Sequence, residues 1–307
     1  MNRIDTHQHV VPPRYAEWLR DKGIEPGGVA VPDWSEDGAL KFMDGHGIQT
    51  GILSLSTPGV HFGDDREARR WAREINELCA DLRDRRPDRF GTFATLPLPD
   101  VDGAIEEAAY ALDVLKADGI VLIASYEGRY LGDETFRPLL EFLHERDAVV
   151  FVHPGELPAP PVPGIPSFTA DFLLDTTRTA ISLVLSGAME RYAGIRFILA
   201  HAGGFVPYIA YRIMLTMAKE GLAPSLDVLK KFYYDIAISA TAAALPSLLE
   251  VADPGHVTYG SDFPFAPPIA VDLINAQYEE YPLDPALRTA IDRGNSEALF
   301  PRLKGKP

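Results

Sequence analysis

The chain has 307 residues, 46% hydrophobic and 24% charged, the balance of a folded globular protein and not of a disordered one. A formal net charge of −15 excludes nucleic acid and anionic membrane as expected partners, yet a metal or a local arginine can still hold a small anionic carboxylate substrate. No run of about 18 apolar residues predicts a membrane span, no apolar leader precedes Asp5 and His7, and a single cysteine, Cys79, predicts a reducing, cytoplasmic setting.

Taken in chain order, eight short stretches rich in Val, Ile, Phe and Thr read as buried strands, at residues 3–7, 51–56, 91–96, 119–124, 148–153, 195–201, 232–238 and 256–260. Amphipathic stretches at 66–86, 102–117, 134–146, 172–192 and 241–252 carry apolar residues at helical spacing between them. Alternating strands and helices predict a parallel sheet covered by helices, and eight such units close a (β/α)8 TIM barrel, here a single domain over residues 1–307. The rival is a doubly wound nucleotide-binding sheet, which needs a glycine-rich phosphate turn after its first strand. Here that turn carries His7, Gln8, His9, Val10, Val11 and Pro12, and no phosphate-binding glycine motif occurs in the chain. The connections after strands 1 and 5 are long, and the second opens with a proline-rich run at 157–166. Both are expected to be insertions on the catalytic face of the barrel.

The strand ends carry the chemistry. Alternate residues of a strand share a side, so His7 and His9 present two imidazoles to one place. The fifth strand runs into His153 and Pro154, the sixth into His201, Gly203 and Gly204, and the eighth into Asp262 and Pro264. All these ends point to one mouth in a barrel, so the four histidines His7, His9, His153 and His201, with Asp262, are expected to form a metal site. A catalytic zinc keeps an open position and makes bound water acidic near neutral pH. His201 is expected to move protons beside it, with Asp262 able both to ligate and to accept a proton. His46, His61, His144 and His256 lie in helix, turn, loop or strand-start contexts and read as structural. A non-catalytic metal-binding protein is the reading from another class, and it predicts a closed coordination sphere.

The segments around Asp5, His7 and His9, Phe151 to Pro154, Ala200 to Gly204 and Tyr259 to Pro264 resemble the amidohydrolase superfamily. Within it they resemble the branch of aminocarboxymuconate-semialdehyde decarboxylase and 6-methylsalicylate-type decarboxylases, from the first strand through residues 294–300. The resemblance implies one divalent metal ion, usually Zn2+ with Mn2+ as the alternative, held by His7, His9, His153 and Asp262, with His201 activating the metal-bound water. It implies that Arg212, eleven residues after His201, binds the substrate carboxylate from a neighbouring subunit, and hence a homodimer. Read without the family, Arg212 is an exposed helix charge. The family's second carboxylate-binding arginine has no counterpart, because residues 39–44 offer Lys41 in its place, which argues against the semialdehyde as substrate. Two-metal members carry a carboxylated lysine at the end of the fourth strand. That strand here ends in Ser125 and Tyr126, which are expected to line the pocket and contact substrate. The expected activity is non-oxidative decarboxylation of an aromatic or conjugated unsaturated carboxylic acid, with metal-dependent hydrolysis of an ester, lactone or amide as the alternative.

Overall fold

Eight parallel strands, in sequence order around the sheet, form the centre of the computed structural model, which describes residues 2–305. They are β1 (Arg3–His9), β2 (Ile48–Ser54), β3 (Phe90–Thr95), β4 (Gly119–Ile123), β5 (Val149–His153), β6 (Arg196–Leu199), β7 (Tyr233–Asp235) and β8 (Val257–Thr258). Each pairs with the next in parallel. The last returns to the first through bonds from Thr6 N to Tyr259 O (3.0 Å), Asp262 N to His7 O (2.8 Å) and His9 N to Phe263 O (2.7 Å). With helices around this nearly closed sheet, the architecture is the expected (β/α)8 barrel.

Alternation along the strands divides the apolar residues into two layers. Ile4, Ile52, Phe93, Val121, Phe151 and Ile198 fill the barrel interior, and Leu299, Phe300 and Leu303 plug its lower end. Val150, Val152, Leu122, Phe197 and Leu199 point the other way, into the layer between strands and helices. Full burial of each such side chain contributes about 1.5–3 kcal/mol, so the strands are fixed from both faces.

The helices Asp65–Arg85, Val101–Ala109, Arg137–His144, Ser167–Leu185 and Leu245–Val251 fall on the five expected stretches. The fourth starts earlier than its pattern and stops at Leu185, because Gly187 takes a left-handed conformation (φ 72°). The helix Pro268–Glu280 was not among the expected stretches: Ile269 and Leu273 are 77% and 64% exposed, which blurs the apolar stripe that marks a surface helix.

The connection from β1 to β2 holds the helices Pro13–Asp21 and Glu36–Gly45, and residues 154–166 after β5 have no helix or strand. These two connections meet, since Gly27 N donates to Glu156 Oε1 at 2.8 Å.

Within β1 the register slips between Asp5 and Gln8, so that three residues of β1 step past two of β2. Strict alternation from the inward-facing Ile4 would send Thr6 and Gln8 to the axis. The extra residue reverses the alternation, and His7 and His9 face the interior instead, with the His7 ring 4.8 Å from that of Phe151.

Candidate active site

At the C-terminal mouth of the barrel, one donor atom each from His7, His9, His153 and Asp262 lies within 4.8 Å of all the others. His7 Nε2 is 3.1 Å from His9 Nε2, and Asp262 Oδ1 is 3.3 Å from the former and 3.2 Å from the latter. Each ring is held from behind. His7 Nδ1 meets Asp235 Oδ2 at 2.9 Å, His9 Nδ1 meets Ser54 Oγ at 3.0 Å, and His153 Nδ1 meets the Pro154 carbonyl at 2.8 Å. A proton held on Nδ1 by these acceptors leaves three Nε2 lone pairs aimed at one point. Three such nitrogens and one carboxylate oxygen fit a divalent cation such as Zn2+ or Mn2+.

The electrostatics agree with that fit. Burial keeps the His9 imidazole below its ordinary range, and burial together with the nearby His9 and His7 holds His153 well below it, so both are neutral at pH 7. Burial opposes charge on His7 too, but Asp235 and Asp262 outweigh it and lift the ring to about 10, so a cation entering the site takes the place of that proton. Burial pushes the Asp262 carboxyl up, yet hydrogen bonds from His201, His7 and His9 hold it well below the usual carboxylate range.

His201 sits beside the cluster, its Nε2 3.5 Å from Asp262 Oδ2 and its ring 4.8 Å from that of His7. The preceding residue, Ala200, already faces the barrel interior, so an extended chain would turn His201 away. The backbone leaves the strand there with φ 55°, and Ala202 follows at 55°. Ile238 (φ 50°) and Asp262 (φ 64°) are in the same sparsely occupied region, and for a β-branched residue this is a clear outlier. Such strain is held in place by the surrounding packing and here gathers at the mouth. Gly204 makes the turn after His201: with φ 64° it tucks against the Leu173 carbonyl, where a side chain would collide. His201 Nδ1 is buried and has no partner among the described residues, which leaves one donor or acceptor position of a mouth residue unspent.

Two carboxylates that the sequence reading left without a role complete the site. Asp235 ends β7. Besides His7 it accepts bonds from the backbone N–H of His201 (3.1 Å) and Ala237 (2.9 Å), so one side chain positions His7 and His201 together. The signal available was an acidic residue closing an apolar strand. Asp5 takes the His7 N–H at 3.0 Å, the Ser261 N–H at 3.0 Å and the Ser261 hydroxyl at 2.5 Å, tying the first strand to the segment before Asp262.

A cavity of about 640 Å³ opens over the cluster, lined by His153, His201 and Asp262 on its floor and by Phe168, Phe172, Leu173 and Phe265 among its apolar walls. No lysine or arginine of the described residues lines it. Ser125 and Tyr126 are placed elsewhere: they line a smaller cavity of about 170 Å³ beside β2, β3 and β4. The Ser125 hydroxyl donates to Asp175 Oδ1 at 3.4 Å, and the Tyr126 hydroxyl accepts from Ile123 N at 2.8 Å. Lys41 is exposed on the helix Glu36–Gly45 and lines neither cavity. Arg212 is exposed on the helix Val206–Lys219. The other four histidines have local partners: His46 with Asp272, His61 with Asp65, His144 with Gly194 N and His256 with the Lys230 carbonyl.

Residues 4–302 match the family model described as Amidohydrolase. The chain is 37% identical to the decarboxylase macB of Penicillium terrestre, over 99% of this chain and 96% of that protein. It is also 37% identical to the 6-methylsalicylic acid decarboxylase of Penicillium expansum, over 99% and 98%. Among solved structures it is similar to an amidohydrolase II (TM-score 0.94, 31% identity, covering 98% of this chain and 100% of that one). A 2,6-dihydroxybenzoate decarboxylase complexed with 2,6-dihydroxybenzoate is similar as well (TM-score 0.81, 26% identity, 98% and 99%).

Proposed function

Because the chain belongs to the amidohydrolase family, in the branch whose relatives are decarboxylases of aromatic acids, we propose that it is a metal-dependent, non-oxidative carboxy-lyase. Its substrate is a small aromatic 2-hydroxycarboxylate with an apolar ring substituent, of the 6-methylsalicylate kind. The observation that carries this reading is a cluster of three back-anchored imidazoles and a carboxylate, with His201 beside it, that reaches a largely apolar cavity through His153, His201 and Asp262.

His7, His9, His153 and Asp262 would hold one divalent ion, with Zn2+ the first choice and Mn2+ the second. Bound there, it supplies Lewis-acid polarisation of the substrate oxygens. The chain's own groups do the rest. Phe168, Phe172, Leu173 and Phe265 hold the ring and keep water from the reacting carbon. His201, with Asp262 beside it, delivers a proton to the ring carbon that bears the carboxylate. The new C–H bond breaks the conjugation. The C–C bond then cleaves, CO2 leaves without the bonding pair, and that pair restores the aromatic ring. One proton is consumed for each CO2 released.

Beyond the divalent ion, the cavity has no lysine or arginine among its described lining residues to pair with an anionic substrate, so a second cation would come from elsewhere. Arg212 from a second copy is the proposed source. It shares the helix Val206–Lys219 with Tyr208, Tyr211 and Leu215, which are 87%, 61% and 64% exposed, an apolar surface that a homodimer would cover. Ser125 and Tyr126 then act on the substrate only through the smaller cavity. The proposal takes residues 1–307 as one domain. A cytoplasmic location rests on the lone, buried Cys79.

The test is CO2 release by the metal-loaded protein from a panel of substituted 2-hydroxybenzoates, beside acid release from lactones. CO2 release highest for the alkyl-substituted acids is the expected result. Lactone hydrolysis without CO2 release would overturn the reaction class. For the dimer, mixing inactive Arg212→Ala with inactive His201→Asn protein should restore part of the activity through one intact hybrid site, and no recovery would overturn the shared site.

A further inference from the structure

Of the three back-anchored histidines, one has a direct carboxylate partner (His7 with Asp235), one a neutral serine (His9 with Ser54), and one a backbone carbonyl (His153 with Pro154). The carbonyl behind His153 belongs to the peptide between Pro154 and Gly155. The N–H of that same peptide donates to Asp175 Oδ2 at 2.9 Å. Asp175 lies on the helix Ser167–Leu185 and is fully buried. It lines neither cavity, so it meets no substrate there.

We infer that Asp175 is a positioning residue for His153, acting through the Pro154–Gly155 peptide as a carboxylate relayed by one amide. In a trans peptide the N–H and C=O point opposite ways, so a negative charge on the N–H side strengthens the carbonyl as an acceptor on the other. That carbonyl fixes the His153 proton on Nδ1 and makes Nε2 the better ligand, as a direct carboxylate does for His7. Gly155 permits the arrangement, because a Cβ there would stand 2.8 Å from Ile123 Cγ2, so that either the peptide or Ile123 would have to shift. Ser125 and Tyr130 are the other side chains bonded to the carboxylate, and the Arg178 charge lies nearby. Burial pushes the Asp175 carboxyl up to about 6, which leaves it ionised at neutral pH.

This inference rests on the reading of His153 as a metal ligand, and the experiment separates the two. Asp175→Asn keeps an acceptor for Gly155 N–H, and its amide can donate to the Ser125 hydroxyl, so the change removes charge and keeps shape. Zn2+ binding to the full-length chain, measured by competition with a chromophoric chelator, is expected to weaken about tenfold, with an unchanged melting temperature. Zn2+ affinity equal to wild type would overturn the relay while leaving the metal site standing. No Zn2+ uptake by the wild type would overturn both. Should the variant fail to fold, the Zn2+-loaded wild type labelled with 15N-histidine decides the matter. The Nδ1–H proton of His153 is expected downfield of that of His9, whose partner is neutral, and equal shifts would overturn the relay.

Discussion

The two ends of the barrel are built from the same strands but obey different rules. At the lower end Leu299, Phe300 and Leu303 close the interior with buried apolar carbon, and Arg3 pairs with Asp292 and Glu279. At the mouth the interior positions pass to imidazoles and carboxylates, and His201, Ile238 and Asp262 hold left-handed conformations that an ordinary strand end avoids. Apolar packing is concentrated below and the imidazoles and carboxylates above, and the difference should show in which substitutions each end tolerates.

Mutations can test this division. The largest effect is expected at the mouth: His153→Ala should leave the purified protein without stoichiometric metal and lower kcat/KM on the order of a thousandfold. Metal analysis with a CO2-release assay checks it, and retained metal would break the assignment of the ligand set. His201→Asn should keep the metal but cost roughly a hundred- to ten-thousandfold in kcat, which distinguishes proton transfer from ligation. At the lower end the pattern should invert. Phe300→Ala is expected to cost about 3–5 kcal/mol of stability, read by denaturant melts, while kcat per metal-loaded molecule stays near wild type. A large kcat loss in a folded Phe300→Ala protein would show that the two ends are not separable.

Asp5 sits where the two regimes meet, and its effect should be smaller. Burial raises its carboxyl from 3.8 to about 7, despite the bonds from Ser261 and His7. The folded state therefore keeps a proton that the unfolded chain has already lost. The contribution of this group to stability is full below the unfolded value and is lost as pH rises through the folded one. The melting temperature of Asp5→Asn should accordingly fall less than that of wild type between roughly pH 4 and pH 7. Parallel profiles for the two proteins would remove Asp5 from the pH response.

What could be read from the sequence followed from periodicity and from the residue types at strand ends. The eight apolar stretches form eight strands because two-faced burial selects Val, Ile and Phe wherever the strands occur. His7, His9, His153 and Asp262 could be grouped because parallel strands put their C-terminal ends on one side, whatever their separation in the chain. Side-chain direction could not be read in the same way. A one-residue slip in β1 turns His7 and His9 inward, and a left-handed backbone at His201 brings its ring back to the mouth; both depend on pairing and packing that no local pattern encodes. The supporting carboxylates were hidden for a related reason. Asp235 acts on a histidine 228 residues away, and Asp175 acts from a helix through a peptide it does not belong to. Hydrogen-bond partners are chosen by proximity in the folded chain, so the chain alone offered the candidate donors while the tertiary structure decided where they point and what holds them there.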